Sequence, residues 1–178
     1  MNGKVIFALL TLAFVSCSPQ LTPFSQDMYD RYRWSDEELK NIQFYLSDDI
    51  VLYRKDDSSE ASIVDGKIQN NKENTGEKKK KKKGTPGVFL FSPKSNRFAI
   101  SFHESDDSKY LMFGPNEAIN GRFALLAKDW EKHKGTVTYQ NQLYTVRADD
   151  ALSVLMVDLQ KAVNNSVKNK EEKGRRLD

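Results

Sequence analysis

The sequence predicts a mainly β domain, an antiparallel sandwich or small barrel of about eight strands with one short N-terminal helix. Three observations carry this. Apolar residues alternate with a period of two, as in Phe89 and Phe91 before a turn and Phe98, Ile100 and Phe102 after it. Turn residues separate such segments at close spacing. A helix-start signal stands in one place, RWSDEELKNI.

In that stretch Ser35 is the expected N-cap and Glu38 its capping-box partner. Asp36 and Glu37 suit the positive end of the helix dipole, and Leu39 and Ile42 give a small apolar face with Trp34 as its staple. The period then changes. QFYLSDDIVLYRK alternates Phe44, Leu46, Ile50 and Leu52 around a Ser-Asp-Asp turn. VFLFSPKSNRFAISF is the clearest hairpin, with Pro93-Lys94-Ser95-Asn96 as its turn. Tyr110 to Phe113 is a strand before a turn at Gly114-Pro115-Asn116, and Arg122 to Ala127 is another apolar run. AKDWEKHKG reads as a charged link, GTVTYQNQLYTV as a second hairpin, and LSVLMVDL as the closing strand, with a helix as its alternative.

One stretch departs from this pattern. Ile63, Val64 and Ile68 make a weak hairpin around Asp65-Gly66, but from Gln69 to Gly84 there is no apolar residue. Such a segment cannot bury enough surface to offset its ordering entropy, so residues 69–86 are expected to form a disordered, Lys-rich loop. Deleting Lys78 to Lys83 should then leave thermal stability nearly unchanged.

The N-terminus carries an address. Lys4 precedes an apolar run, Val5 to Val15, that is too short for a membrane span and has the flanks of a secretory signal. Phe14-Val15-Ser16-Cys17 follows, and Cys17 is the chain's single cysteine. This segment resembles the lipobox of bacterial lipoproteins, although Phe14 stands where the family usually has Leu. The resemblance implies cleavage before Cys17, attachment of a diacylglyceryl group to its thiol, and acylation (palmitate, for example) of the new amine. Two or three acyl chains make attachment durable where one does not. RYRWSDEELKNIQFYLSDDIVLYR resembles uncharacterised Bacteroidota lipoproteins, a resemblance that brings no function with it. With Cys17 lipidated, no cysteine remains for a disulfide, a zinc site or a thiol nucleophile.

The expected organisation is a signal peptide at 1–16, an uncharged tether at 17–26, a single β-rich domain at 27–159 and a charged C-terminal tail at 160–178. Of the 178 residues, 38% are hydrophobic and 30% charged, which suits one soluble domain with a core. The formal net charge of +3 hides a concentration: without the six lysines at 78–83, 22 basic residues face 25 acidic ones. The body is mildly acidic and one segment strongly basic.

That run, Lys78, Lys79, Lys80, Lys81, Lys82 and Lys83, is the strongest feature of the mature chain. Near an anionic surface each ammonium contributes about 1 kcal/mol, and a lipid anchor would hold the run close to such a surface. A second candidate contact is the aromatic–Arg cluster Tyr29, Arg31, Tyr32 and Trp34, a composition favoured at interface hot spots; the other reading of these rings is that they cap the open end of the sandwich. Nucleic acid is not an expected partner, given the export signal and the lack of aromatic residues among the lysines.

The search for catalysis returns little. His103 precedes Glu104, Asp106 and Asp107, which reads as a polar turn or, as the sharper alternative, a metal or acid–base site. His133 lies in the charged link, and the Asp doublets sit at turns without an EF-hand pattern. No P-loop, Rossmann or nucleophile-elbow motif is present. The expectation is therefore a non-enzymatic, lipid-anchored interaction or accessory protein of a bacterial cell envelope complex, with no cofactor. Its expected contacts are the membrane through the anchor, anionic lipid, and an envelope protein partner. The alternative is a lipoprotein that binds a small molecule or glycan in a barrel mouth or on a sheet face. The resemblance to bacterial lipoproteins further implies, from Ser18 in place of an Asp retention signal and from the lack of an acidic export cluster after Cys17, the periplasmic face of the outer membrane.

Overall fold

A computed structural model describes residues 20–54, 63–64, 67–68 and 76–169. Residues 1–19, with Cys17, and residues 170–178 lie outside the described residues, as does 69–75 of the Lys-rich segment. The chain is mainly β, with two antiparallel sheets packed as a sandwich and not closed as a barrel.

The chain enters as strand β1 (Leu21–Pro23) and forms helices α1 (Gln26–Tyr32) and α2 (Asp36–Leu39). Strands β2 (Gln43–Leu46) and β3 (Ile50–Arg54) follow, then β4 (Ile63–Val64) and β5 (Lys67–Ile68), which pair with each other. Next come β6 (Glu77–Lys81), β7 (Pro86–Lys94), β8 (Arg97–Ser101), β9 (Tyr110–Asn116) and β10 (Arg122–Leu125). β11 (Lys128–Glu131), β12 (Lys134–Tyr139) and β13 (Gln142–Arg147) lead to helix α3 (Ala148–Ala151), strand β14 (Leu155–Asp158) and helix α4 (Leu159–Asn169).

One sheet has the order β1-β14-β2-β7-β8-β9-β10, the other β11-β12-β13-β3-β6. Single bridges, Ser25 to Arg122 and Ala124 to Val154, link β10 back toward the opposite side of the larger sheet. That sheet therefore curls strongly. The two sheets share a ribbon. β2 pairs with β7 in the larger sheet, and β3 pairs with β6 in the smaller. The two chains of the ribbon cross together between the sheets, held by Gly84 N donating to Leu46 O at 2.8 Å and Lys83 N donating to Asp49 Oδ1 at 2.7 Å. Ser153 anchors the same corner: its hydroxyl donates to Asp48 O at 2.9 Å, and Val154 N donates to Ser47 Oγ at 2.9 Å. The Ser-Asp-Asp turn is thus a crossover between sheets, so β2 and β3 are not partners.

The core is one cluster drawn from both sheets, with Phe24, Phe44, Phe98, Phe113 and Phe123 beside Leu52, Tyr144 and Val146. Ten phenylalanines and seven tyrosines supply the ring-rich packing that a chain without structural disulfides requires. Both predicted hairpins form, β7–β8 and β12–β13. The second turns through Gln140 and Asn141 at positive φ, the two-residue geometry that matches strand twist.

The capping box forms as read. Ser35 Oγ accepts from Glu38 N at 3.3 Å, and Glu38 Oε2 accepts from Ser35 N at 2.9 Å. The helix has a single turn, so losing this cap removes a large share of its bonding. Ser35→Ala is expected to cost about 1 kcal/mol of stability, measured by urea denaturation.

Several expectations need correction. The predicted tether contains β1, which pairs with β14, and Phe24, which is fully buried. Its apolar residues are few but sit against a sheet edge, where Pro23 needs no N–H. Gly114-Pro115-Asn116 continues β9, and the turn lies later, where Asn116 Oδ1 accepts from Ala118 N and Asn120 and Gly121 take positive φ. The charged link contains β11. The predicted tail begins as helix α4, with Ala162 buried and Asn165 Nδ2 donating to Asn41 O at 3.1 Å. Twelve strands, in place of about eight, form the two sheets among the described residues. The largest correction is β6, which carries four of the six lysines as a strand of the smaller sheet.

Candidate functional site

The lysine strand is built by its neighbour. β3, IVLYR, is rich in strong strand formers and offers a free edge. β6 pairs with it residue for residue, Ile50 with Lys81, Val51 with Lys80, Leu52 with Lys79, Tyr53 with Lys78 and Arg54 with Glu77. Alternation then splits the run. Lys78 and Lys80 face outward and are exposed; Glu77, Lys79 and Lys81 face inward and are half-buried.

The inward lysines lie over buried rings. Lys79 Nζ is 5.7 Å from the Tyr139 ring centroid and 5.9 Å from that of Tyr144, and Lys81 Nζ is 5.6 Å from Tyr139. Tyr139 and Tyr144 are 3% and 1% exposed, so the two lysines cover the end of the core with their ammonium groups over the ring faces. Glu77 organises this end. It pairs with Lys79 at 2.8 Å and with Arg54 at 2.9 Å, and Tyr144 OH donates to it at 2.9 Å. Arg54 also donates to Gln142 Oε1. Hydrogen bonds from Lys79 and Tyr144 hold the Glu77 carboxyl below its usual range. On the outer side Asp49 pairs with Lys80 at 2.6 Å. Its carboxyl is likewise lowered, by Lys80 first and then by the Lys83 amide.

Glu77 and Asp49 pair with two of the six lysines. Among the described residues Lys78, Lys81, Lys82 and Lys83 make no ion pair. Lys78 instead lies 5.7 Å from the Tyr53 ring. The result is a cationic strip with a fixed backbone, at the edge of a sheet. Inward-pointing charge and repeated lysine on an edge strand also discourage strand addition by other chains.

Of the two readings of the aromatic–Arg cluster, the rings take the one in which they pack on the core. The cluster's residues fall on and after helix α1, whose cap Ser25 accepts from Met28 N. Trp34 is 3% exposed and stacks between Phe24 and Tyr32, at 5.8 and 4.9 Å. Tyr29 packs edge-on against Phe98 at 5.3 Å. Trp34 is therefore a core residue, and only Arg31 of the four is fully exposed. A shallow pocket of about 360 Å³ opens there, lined by Tyr29, Asp30, Arg33 and Trp34. Burial, with Asp36 and Asp30 nearby, raises the Tyr29 hydroxyl above its ordinary pKa.

His103, Glu104, Asp106 and Asp107 occupy the turn between β8 and β9. Asp106 accepts from the Ser108 hydroxyl at 2.5 Å and pairs with Lys109 at 3.1 Å, and these contacts hold its carboxyl down at about 2. His103 Nε2 is 3.1 Å from Lys109 Nζ. Among the described residues no group of three or more His, Asp or Glu side chains is arranged to hold a metal, and no helix is long and apolar enough to cross a membrane. His133 sits at the β11–β12 turn.

The chain matches no family model, no curated protein and no solved structure in the comparisons made.

Sequence reasoning found the lysine run but missed its partners. Asp49, Arg54, Tyr139 and Tyr144 come from distant positions and carry no local signal. One clue was present: Glu77 heads the run opposite Arg54, as antiparallel pairing of two strands would place it.

Proposed function

We propose that this protein is a lipid-anchored, non-enzymatic accessory protein of a bacterial cell envelope that docks on an anionic surface through the lysine-bearing edge strand. One observation supports this reading above the others. Lys78, Lys82 and Lys83 are exposed and make no ion pair among the described residues, on and beside a strand whose backbone is fixed by five paired residues. A fixed cationic strip loses less entropy on docking than a free loop would. Its charge excess attracts anionic headgroups or an acidic protein face within a Debye length, about 8–10 Å in physiological salt. The anchor at Cys17 supplies the second of two attachment signals, and the strip supplies orientation.

The strip is tested at residues that are exposed and make no ion pair. A chain lacking residues 1–17 is expected to co-sediment with vesicles containing anionic phospholipid at low salt. Binding should fade as salt rises. The triple change Lys78→Gln, Lys82→Gln, Lys83→Gln is expected to weaken binding by about a hundredfold, at ~1 kcal/mol per charge. Unchanged binding by the triple variant would remove the strip as the docking surface.

The anchor is tested separately. Cys17→Ser is expected to abolish lipid attachment and cleavage at this site while leaving the β domain folded. A lipid-modified mature protein of unchanged mass from that variant would overturn the anchor.

A further inference from the structure

The smaller sheet turns one side to the core, and its register fixes what stands on the other. Val137, Tyr144, Val146 and Leu52 are buried. Alternation therefore turns Thr138, Leu143, Thr145 and Tyr53 to the outer face. Thr145 stands opposite Tyr53, and Tyr53 opposite Lys78. Leu143, two residues from Thr145 on the same strand and face, is the diagonal neighbour of Tyr53. Leu143 is 61% exposed, the highest value among the exposed large apolar side chains described, and Tyr53 is 37% exposed. Lys78 Nζ lies 5.7 Å from the Tyr53 ring centroid, and Lys78 makes no ion pair among the described residues. The far end of this face differs. There Asp49 pairs with Lys80 at 2.6 Å, and Asp149 and Asp150 follow Arg147 in α3. The uncompensated charge and the exposed apolar surface thus meet at one corner, beside the β12–β13 turn.

We propose that this corner, Leu143, Tyr53 and Lys78, is where the domain enters the surface of an anionic lipid bilayer. The inference rests on the docking role of the lysine strip and narrows its partner from any anionic surface to a membrane. The chemistry follows from the arrangement. A bilayer presents negative phosphates above and hydrocarbon immediately beneath, so its complement is a cation beside an exposed apolar side chain. An acidic protein face would call on the charge alone and would leave Leu143 in water. Leu143 reaches past the headgroups and gains by leaving water. Tyr53 offers a ring with a polar tip, the combination that settles at the membrane–water boundary. Lys78 keeps its ammonium at the phosphates while its stem lies along the Tyr53 ring. The turn residues Gln140 and Asn141 are polar, which keeps the insertion shallow.

Every described residue lies after residue 19, so a chain lacking residues 1–17 keeps them all. Its binding to vesicles of phosphatidylglycerol and phosphatidylcholine is measured by co-sedimentation at low salt. Leu143→Thr keeps the charge and a strand-forming residue, and is expected to weaken binding by about fivefold. Phe91→Thr removes a ring of comparable exposure from the outer side of β7 in the other sheet and should leave binding unchanged. Depth is read separately, with Leu143→Trp in a Trp130→Phe background and Trp130→Phe alone as the baseline for the buried Trp34. Vesicles brominated in their acyl chains should quench and blue-shift the added emission. Thermal unfolding checks that each variant is folded. Suppose the triple Gln variant of Lys78, Lys82 and Lys83 loses binding, while Leu143→Thr binds as the unaltered chain does and no quenching occurs. The contact is then one of charge alone, as with an acidic protein; the corner is overturned and the docking strip stands. Equal losses in Leu143→Thr and Phe91→Thr would also overturn it. Full binding by the triple variant would overturn the docking strip itself, and this assignment with it.

Discussion

Replacing Phe24 with alanine is expected to lower the unfolding free energy by about 3–5 kcal/mol, the largest loss of any single change considered for this protein. Phe24 is fully buried. Its ring lies 5.0 Å from Phe123, 5.4 Å from Phe44, 5.6 Å from Phe98 and 5.8 Å from Trp34. Its backbone joins two strands of the curled sheet: Phe24 N donates to Leu155 O at 2.8 Å, and Phe123 N donates to Phe24 O at 3.0 Å. Removing the ring leaves a cavity among rigid aromatic neighbours that cannot collapse to fill it. At ~2–4 °C per kcal/mol for a chain of this size, the melting temperature should fall by about 10 °C. Phe91 is the control. It is 40% exposed on the outer side of β7, where it meets Tyr110 edge-on at 5.2 Å. Phe91→Ala should cost under about 1.5 kcal/mol. Equal losses in the two variants would show that Phe24 does not centre the core.

Deleting Lys78 to Lys83 is expected to destabilise the domain by about 3 kcal/mol or more, through lost ladder bonds worth ~1 kcal/mol each and uncovered tyrosine rings. A solvated loop would predict almost no change. The deletion removes four of the five β6 residues that pair with β3, together with the lysines over Tyr139 and Tyr144. It also removes the partner of Asp49 and the amide that bonds it at the crossover. A second variant separates strand from charge: replacing all six lysines with threonine keeps the backbone and a strong strand former. This variant should lose much less stability than the deletion and still lose binding to anionic vesicles. Urea denaturation and vesicle co-sedimentation give the two readouts. A deletion variant as stable as the parent would return the run to the status of a loop.

These expectations differ from those of the sequence at one residue type. A run of six lysines has no apolar partner in sequence, and its charges repel. Composition therefore reads it as unfolded. The fold supplies what composition lacks: an unpaired edge on β3, two tyrosine faces for the lysines, and carboxylates at both ends. Phe24 illustrates the same point at the other extreme. In SPQLTPFSQ a single ring among polar and proline residues gives no periodic signal. Its burial depends on β10 and β14, strands that lie far along the chain at Arg122–Leu125 and Leu155–Asp158.

What the sequence determined by itself is local. Alternation of apolar residues, Phe and Ile in one and Val and Tyr in the other, specified the β7–β8 and β12–β13 hairpins. Ser35 and Glu38 specified a capped helical turn, since a capping box needs only residues three apart. Cys17 and the apolar run before it specified the expectation of an anchor. What tertiary structure decided is every assignment that rests on a distant partner. β2 and β3 share one alternating segment yet lie in different sheets, because Ser153 and the β6–β7 crossover hold the corner between them. Trp34 reads equally as a helix staple and as part of an exposed patch, and it is buried because it stacks between Phe24 of the chain after β1 and Tyr32 of α1. Four of the lysines became a strand, and two of them came to lie over Tyr139, because β3 offered its edge and β12 its ring. Periodicity records which side of a strand is apolar; it does not record which edge that strand will meet.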